Sequence, residues 1–338
     1  MKKYRVAVVG ATGAVGRELL GILSEREFPL CELRLFASER SRGQTVRWRG
    51  EEYRLETLED LDVFSGIDLV FTCTDTEVSR RLVPQIRARG PLVIDDSAAF
   101  RTEPQVPLVV PEVNPEVARN HQGLFANANC STIQLVVALK PLYDAAGIVR
   151  LVVSTYQAVS GTGAQAIEEL RAQTGEALAG RALQPQVYPY PIAFNLLPQI
   201  GTFDERGDSS EERKLAQETR KILGDDRIAI TATTVRVPVF RSHSEAVNIE
   251  TQEKLTAEQA RELLARAPGI SVLDEPDRAL YPLPLEARGR DEVFVGRIRE
   301  DRSIKNGLNL WVVSDNLRKG AALNTVQIGE LLIERGWM

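Results

Sequence analysis

Histidine is the scarcest of the chemically versatile residues. There are two, His121 and His243, so any step that needs an imidazole must use one of them. Cysteine is nearly as rare. Cys31, Cys73 and Cys130 are odd in number and far apart, which argues against a disulfide framework or a zinc site and suits a reducing, cytosolic setting. No metal site is expected. No apolar run is long enough to span a bilayer, and Lys2-Lys3-Tyr4 lead straight into a strand without an apolar signal region, so no membrane role is expected. Excess positive charge is also lacking. A net charge of −5 gives no reason to expect nucleic-acid binding. What remains is an ordinary globular composition over 338 residues, enough for about two domains.

The first third alternates strand and helix patterns. Tyr4 to Val9, Leu33 to Phe36, Ile67 to Cys73 and Leu92 to Ile94 read as buried strands. Arg17 to Phe28 has helical spacing, Asp75 stands where it can cap a helix running to about Arg87, and Thr45 to Leu55 suggests a hairpin around Gly50. Such alternation implies a parallel sheet with helices on both faces. Further on, the strands lengthen and alternate apolar with polar residues. Leu151 to Ala158, Ile228 to Val237, Glu245 to Thr251 and Val293 to Arg299 suggest a sheet with one exposed or interface-facing side, and Leu308 to Ser314 is a last strand. Helices are expected at Gly163 to Ala177, Glu211 to Leu223, Thr256 to Ala267 and from about Asn316 to Glu334. The expected class is α/β. A Rossmann-like dinucleotide-binding domain over residues 1–129 is completed by 316–338, and residues 130–315 form an α+β domain on a mixed sheet.

Gly10-Ala11-Thr12-Gly13-Ala14-Val15-Gly16 follows the first strand and opens a helix. Glycines there allow a tight turn and close approach of a pyrophosphate to the helix N-terminus. The spacing is GxxGxxG rather than GxGxxG, so the motif gains its weight from following an N-terminal strand. A glycine turn that merely packs the helix is the alternative. At the tip of the second strand, Ala37-Ser38-Glu39-Arg40-Ser41-Arg42 offers arginines and serines to a ribose 2′-phosphate, which favours NADP. Glu39 dissents, and a solvated charged loop accounts for the same residues.

Cys130 lies in Asn127-Ala128-Asn129-Cys130-Ser131-Thr132, between a strand-like and a helix-like run. A thiol at such a junction faces the unpaired N–H groups of the first helical turn, which stabilise a thiolate. A buried small hydrophobe is the plain alternative. His243 falls between two predicted strands, where its imidazole can take a thiol proton or can simply be a surface residue. Glu211 and Lys214 share a helix face, and Ser209 with Glu212 suggests a capping box. Arg101 follows a buried strand and can bind an anion or pair with a neighbouring acid. His121 reads as structural or exposed.

Nearly end to end, the chain resembles the aspartate-β-semialdehyde dehydrogenase family, bacterial branch. The most specific stretches are Asn127 to Gln134, Thr155 to Gly161, Tyr190 to Asn195, Arg236 to Val247 and Asp315 to Asn324. The resemblance implies reduction of L-aspartyl 4-phosphate by NADPH to aspartate semialdehyde and phosphate, feeding lysine, diaminopimelate, methionine and threonine synthesis. It implies Cys130 as nucleophile, His243 as acid/base and Gln157 as the residue orienting the acyl group. Arg236 would bind the substrate carboxylate, Glu211 its ammonium, and Arg101 and Lys214 the phosphoryl group. Gly10, Thr12, Gly13, Val15, Ser38, Arg40, Ser41, Gly161, Asn316 and Lys319 would line the NADP site. A cytoplasmic homodimer, sometimes paired further, is the implied assembly. The sequence departs from the family at Ala128 (often proline), Ser242 (commonly glycine) and Thr72-Cys73-Thr74-Asp75. The alternatives are a catalytically silent NADP-binding homologue, or an enzyme like N-acetyl-γ-glutamyl-phosphate reductase, whose cysteine sits in Gly-Cys-Tyr-Pro-Thr. Glyceraldehyde-3-phosphate dehydrogenase is a third relative by mechanism, with Ser-Cys-Thr-Thr at that place.

Overall fold

Tyr4–Val9 (β1) is buried at five of its six residues because it lies inside a sheet and is covered on both faces. The computed structural model describes residues 2–338. These fall into two units, 2–128 with 321–338, and 129–320.

In the first unit, β1 is followed by α1 (Ala14–Glu25), β2 (Leu30–Phe36), a hairpin of β3 (Thr45–Trp48) and β4 (Glu51–Arg54), β5 (Leu69–Thr72), α2 (Thr76–Arg87), β6 (Leu92–Asp95), β7 (Leu108–Val109) and β8 (Leu124–Asn127). The strands order as β2-β1-β5-β6-β8-β7 and every pairing is parallel. The order reverses at β1, so the loop leaving β1 opens on a switch point, where α/β sheets bind their ligands. α1 starts three residues before the predicted Arg17, since the helix begins as soon as the glycine loop ends. It stops at Glu25, before a left-handed Glu27. β2 begins earlier than predicted because Leu30 already pairs with Tyr4. Asp75 occupies the N-cap of α2, yet its side chain makes no capping hydrogen bond, contrary to expectation.

The second unit contains α3 (Cys130–Ala146), β9 (Ile148–Gln157), α4 (Ala164–Leu178), α5 (Ser210–Leu223), β10 (Ala229–Arg236), β11 (His243–Thr251), α6 (Ala257–Arg266), β12 (Ile270–Val272), α7 (Pro284–Ala287), β13 (Val293–Asp301) and β14 (Gly307–Ser314). Its strand order is β10-β9-β11-β14-β13-β12. The β10/β9 and β12/β13 pairs are parallel and the rest antiparallel, so the sheet is mixed. Residues 243, 245, 247, 249 and 251 of β11 are buried, while from Ala246 on the alternate ones are half-buried, as a sheet with one covered face requires.

The chain then passes through a π-helical turn, Arg318–Ala322, into α8 (Leu323–Arg335). The helix predicted from Asn316 therefore starts later. Asp315 Oδ1 accepts from the backbone N–H of Leu317 and Arg318 and so caps the turn that leads into it. α8 belongs to the first unit, where Leu323, Val326, Ile328, Leu331 and Leu332 join the β1 and α1 core, and Arg26, the C-cap of α1, pairs through two nitrogens with Glu330. Among the described residues, no helix is long and apolar enough to cross a membrane.

Candidate active site

Cys130 is the first residue of α3. Its N-cap, Asn129, is in extended conformation, and Asn129 Oδ1 accepts from the backbone N–H of Ser131 at 3.0 Å and of Thr132 at 3.2 Å. This corrects one expectation. Those two first-turn amides are committed to the cap and are not the unpaired N–H groups expected to face the thiol. Asn129 was not singled out in the sequence, although an Asn before an apolar helical run is a readable cap signal. Its Nδ2 donates to Glu211 Oε1 at 2.8 Å and its backbone N–H to Glu218 Oε2 at 2.6 Å, which ties the Cys130 turn to α5. Gly320 is a second missed residue. A Cβ there would lie 3.1 Å from Cys130 Cβ, so the chain packs directly against the thiol-bearing residue.

His243 is not in a loop. It is the first residue of β11, is fully buried, and pairs with Ser314 of β14. Its Nε2 lies 3.2 Å from Cys130 Sγ, and its Nδ1 lies 3.0 Å from the Ala158 backbone nitrogen. The amide can only donate, so Nδ1 is the acceptor and the neutral ring carries its proton on Nε2, facing sulfur. Burial, then the Arg236 cation, hold the imidazole well below its ordinary pKa of 6.5, with the Ser242 backbone opposing weakly. The ring is thus neutral near pH 7 and meets the sulfur as a hydrogen-bond donor, not as a base.

Arg236, at the end of β10, is buried. Nη1 donates to Ala158 O at 2.7 Å, while Nε has no hydrogen-bond partner. A buried guanidinium with an unused N–H is suited to an anionic ligand. Gly161 presses on this pair: a Cβ there would stand 3.0 Å from Arg236 Nη1 and 3.4 Å from two atoms of the His243 ring. Glu211, near the start of α5, is buried too. Its Oε1 takes the Asn129 bond and a 3.1 Å bond from Gln157 Nε2, and Lys214 Nζ lies 3.5 Å from Oε2. Burial alone would raise the Glu211 carboxyl. Lys214, the two amide donors and Arg236 more than offset it, so the group is held below the usual carboxylate range and stays ionised. Gln157 Oε1 accepts from Thr155 Oγ1. The α5 start carries the predicted capping box between Ser209 and Glu212.

Ser242 has φ 78°, a region that favours glycine, and its buried hydroxyl has no partner. Its N–H donates to Asn316 Oδ1, which also accepts from Ser160 Oγ. Ser242→Gly is therefore expected to stabilise the chain. Left-handed strain of about 1–2 kcal/mol is relieved, offset by roughly 0.5–1 kcal/mol of extra glycine entropy. Thermal unfolding checks this, and an unchanged or lower midpoint contradicts it. Lys319 is buried, with its backbone in the π-helical turn.

The remaining predicted residues lie in the first unit. Gly10 has φ 88°, and a Cβ there would sit 2.3 Å from the Cys73 carbonyl oxygen; at Gly16 it would sit 2.2 Å from Gly10 O. Both must be glycine to make the turn. Gly13 is different: it has ordinary φ, a Cβ would be tolerated, and no side chain caps α1 above it. The uncapped first turn and the bare Gly13 fit a pyrophosphate at the helix start. Thr12 and Val15 are half-buried beside it. Ser38 N-caps a short 3₁₀ turn over Glu39–Ser41, with Arg40 exposed and Ser41 half-buried. The Glu39 carboxylate lies 3.5 Å from Arg42, so it is partly neutralised there. Arg101 donates from Nη2 to the Asp96 carbonyl oxygen at 2.8 Å. Asp96 is pushed up to about 6 by burial, with Arg101 and an Asn127 hydrogen bond pulling it down. Burial pushes the Cys73 thiol well up, so this cysteine is a poor nucleophile. His121 is half-buried, with Nε2 3.0 Å from Trp337 O.

One unit sets a thiol at a helix start against a neutral imidazole, and the other carries a parallel sheet with a glycine loop at its switch point, a combination that fits a nucleotide-dependent dehydrogenase. Residues 5–121 match the semialdehyde dehydrogenase NAD binding domain, and residues 139–319 the semialdehyde dehydrogenase dimerisation domain. An aspartate-semialdehyde dehydrogenase of Aquifex aeolicus is 53% identical over 98% of this chain and 99% of its own length. The crystal structure of aspartate semialdehyde dehydrogenase II from Vibrio cholerae, complexed with ASA, superposes with a TM-score of 0.96 at 46% identity, covering 99% of both chains. The enzyme of Candida albicans, solved with NADP, gives 0.77 at 28% identity over 100% of both. The chain belongs to the aspartate-semialdehyde dehydrogenase family and is an oxidoreductase.

Proposed function

We propose that this chain interconverts L-aspartyl 4-phosphate and NADPH with L-aspartate 4-semialdehyde, phosphate and NADP, through a thioester on Cys130. The observation that carries this reading is the 3.2 Å approach of His243 Nε2 to Cys130 Sγ, with Nδ1 fixed as an acceptor by the Ala158 amide. The Cys130 thiolate attacks the acyl carbon and the carbon–oxygen bond to phosphate breaks, so phosphate leaves with the electron pair. Bound NADPH supplies the hydride that takes the thioester to the aldehyde level. His243 Nε2–H donates a hydrogen bond to the alkoxide of the resulting thiohemiacetal and keeps its proton. When that adduct collapses, the carbon–sulfur bond breaks and the thiolate is restored.

Substrate recognition follows from charge. Ionised Glu211 suits the ammonium group and Arg236, with its unused Nε–H, the α-carboxylate. Gln157 is assigned to orienting the acyl group, and Lys214 and Arg101 to the phosphoryl group. Gly10, Thr12, Gly13 and Val15 are assigned to the NADP pyrophosphate region, Ser38, Arg40 and Ser41 to its 2′-phosphate, and Gly161, Asn316 and Lys319 to the same cofactor. The 2′-phosphate assignment gives an expected result: Arg40→Ala weakens NADP by at least about tenfold while NAD changes little, the loss of one charge-assisted contact. Equal losses in binding titrations contradict it. A homodimer in the cytoplasm, contributing to lysine, threonine, methionine and diaminopimelate synthesis, is the proposed setting, supported by the dimerisation-domain match and the relatives.

The test is NADP reduction by the purified protein with L-aspartate semialdehyde, with and without phosphate. Strong phosphate-dependent reduction is expected. Binding of NADP without reduction would instead favour another acyl substrate or a silent homologue.

A further inference from the structure

Between β10 and β11 the chain is bonded to the turn that follows β9. Val239 O accepts from the Val159 N–H at 2.9 Å and Phe240 O from the Ser160 N–H at 3.2 Å. The next two residues, which lead into His243, are held by side chains instead. Ser242, the left-handed residue, donates its N–H to Asn316 Oδ1 at 2.9 Å. The half-buried Arg241 sets its Nε 2.7 Å from Asp315 Oδ1 and 2.6 Å from Oδ2. Register explains the meeting. His243 pairs with Ser314 in the antiparallel β11/β14 ladder, so the residues just before His243 face those just after Ser314.

Asp315 is fully buried, and Arg241 is one of four donors to it. Oδ1 also takes the backbone N–H of Leu317 at 3.0 Å and of Arg318 at 3.3 Å, and Oδ2 that of Gly289 at 2.6 Å. Its own carbonyl oxygen accepts from the Gly320 N–H at 3.1 Å, and Gly320 is the residue that packs on Cys130. A buried carboxylate with a guanidinium and three amides aimed at it penalises any shift that unpairs it. A left-handed residue such as Ser242 persists only where its surroundings over-determine it.

We propose that Asp315 is a positioning residue for the reaction. Through Arg241 it holds the strained turn that aims the His243 ring at Cys130 Sγ. Through the Leu317 and Arg318 amides it holds the turn that seats Gly320 against Cys130. It acts through these two turns rather than on the substrate. A displacement of about 1 Å at a reacting centre can cost on the order of a hundredfold in rate. The inference rests on Cys130 and His243 acting together, and deepens that reading.

The test compares Arg241→Met, Arg241→Lys and Asp315→Asn by kcat, KM, NADP affinity and the rate of Cys130 alkylation by iodoacetamide at neutral pH. Alkylation is followed on the Cys130 peptide, because Cys31 is exposed as well. It needs no aldehyde, so it decides alone if the substrate assignment fails. Arg241→Met releases one arm and leaves Asp315 its three amide donors, so folding and the Gly320 turn should survive. It is expected to lower kcat about tenfold with KM and NADP affinity nearly unchanged. Alkylation should slow, because a displaced Nε2–H no longer stabilises the thiolate. Arg241→Lys keeps a cation for the carboxylate and should regain most of both. Asp315→Asn loosens both arms and should cost more than Arg241→Met, and combining the two should cost nothing further. A folded Arg241→Met with wild-type kcat and alkylation overturns the proposal. Additive losses in the double variant do so too, because the two residues would then act apart. If Asp315→Asn does not fold, the Arg241 variants decide: a loss in the first that the lysine regains supports the proposal, and equal losses in both overturn it.

Discussion

Cys130→Ala is expected to abolish phosphate-dependent turnover, by roughly 10⁴-fold or more, the scale of losing a covalent nucleophile. The protein should stay folded, because the site makes few structural demands on the sulfur. α3 is capped by Asn129 rather than by the thiol, and Asn129 is bound to Glu211 and Glu218 independently of Cys130. Alanine also keeps the Cβ against which Gly320 packs. NADP affinity should be near wild type, since the glycine loop lies in the first unit. Steady-state rates and a cofactor titration check both halves. Turnover within about tenfold of wild type would contradict covalent catalysis, whereas joint loss of turnover and NADP binding would point to misfolding.

The second large effect concerns His243. His243→Asn should lower kcat by roughly 10²–10³, the usual cost of losing a hydrogen-bond donor to a developing oxyanion. The accompanying pH dependence has a definite sign. The ring pKa is depressed well below 6.5, first by burial and then by Arg236. The folded state therefore binds fewer protons than the unfolded state between that low value and 6.5. Stability conferred by the neutral ring is complete above about pH 6.5 and falls as the pH drops below it, by about 1.4 kcal/mol per unit until the folded pKa is reached. The acid limb of kcat/KM should accordingly lie below 6.5. Arg236→Met removes the cation but not the burial, so it should raise the limb only part of the way to 6.5, besides raising KM. With two histidines in the chain, ring-proton NMR can follow His243 directly. A His243 titrating at or above 6.5 would contradict the neutral donor.

The parts of the fold that sequence could disclose are those set by local chemistry. A buried strand ending in a glycine loop, an Asn-Cys step before an apolar helical run and a Ser-x-x-Glu start each specify a short-range conformation, and each is found as a strand, a capped helix or a capping box. What was not legible depends on register. His243 looks like a loop residue until β11 pairs with β14 and brings it opposite Ser314. The committed amides of Ser131 and Thr132 follow from one rotamer of Asn129. Ser242 is intermediate. The likeness to the family marked it as standing where glycine is common, and its φ of 78° supplies the reason.

The central claim is a thioester on Cys130, and a single-turnover experiment without phosphate tests it most directly. Mixing the protein with L-aspartate semialdehyde and NADP should give a burst of about one NADPH per chain, because oxidation of the thiohemiacetal needs no phosphate while release of the acyl group does. Intact-mass and peptide analysis of the quenched sample should then place an aspartyl adduct on Cys130. No burst and no adduct, with NADPH appearing only once phosphate is added, would contradict the account.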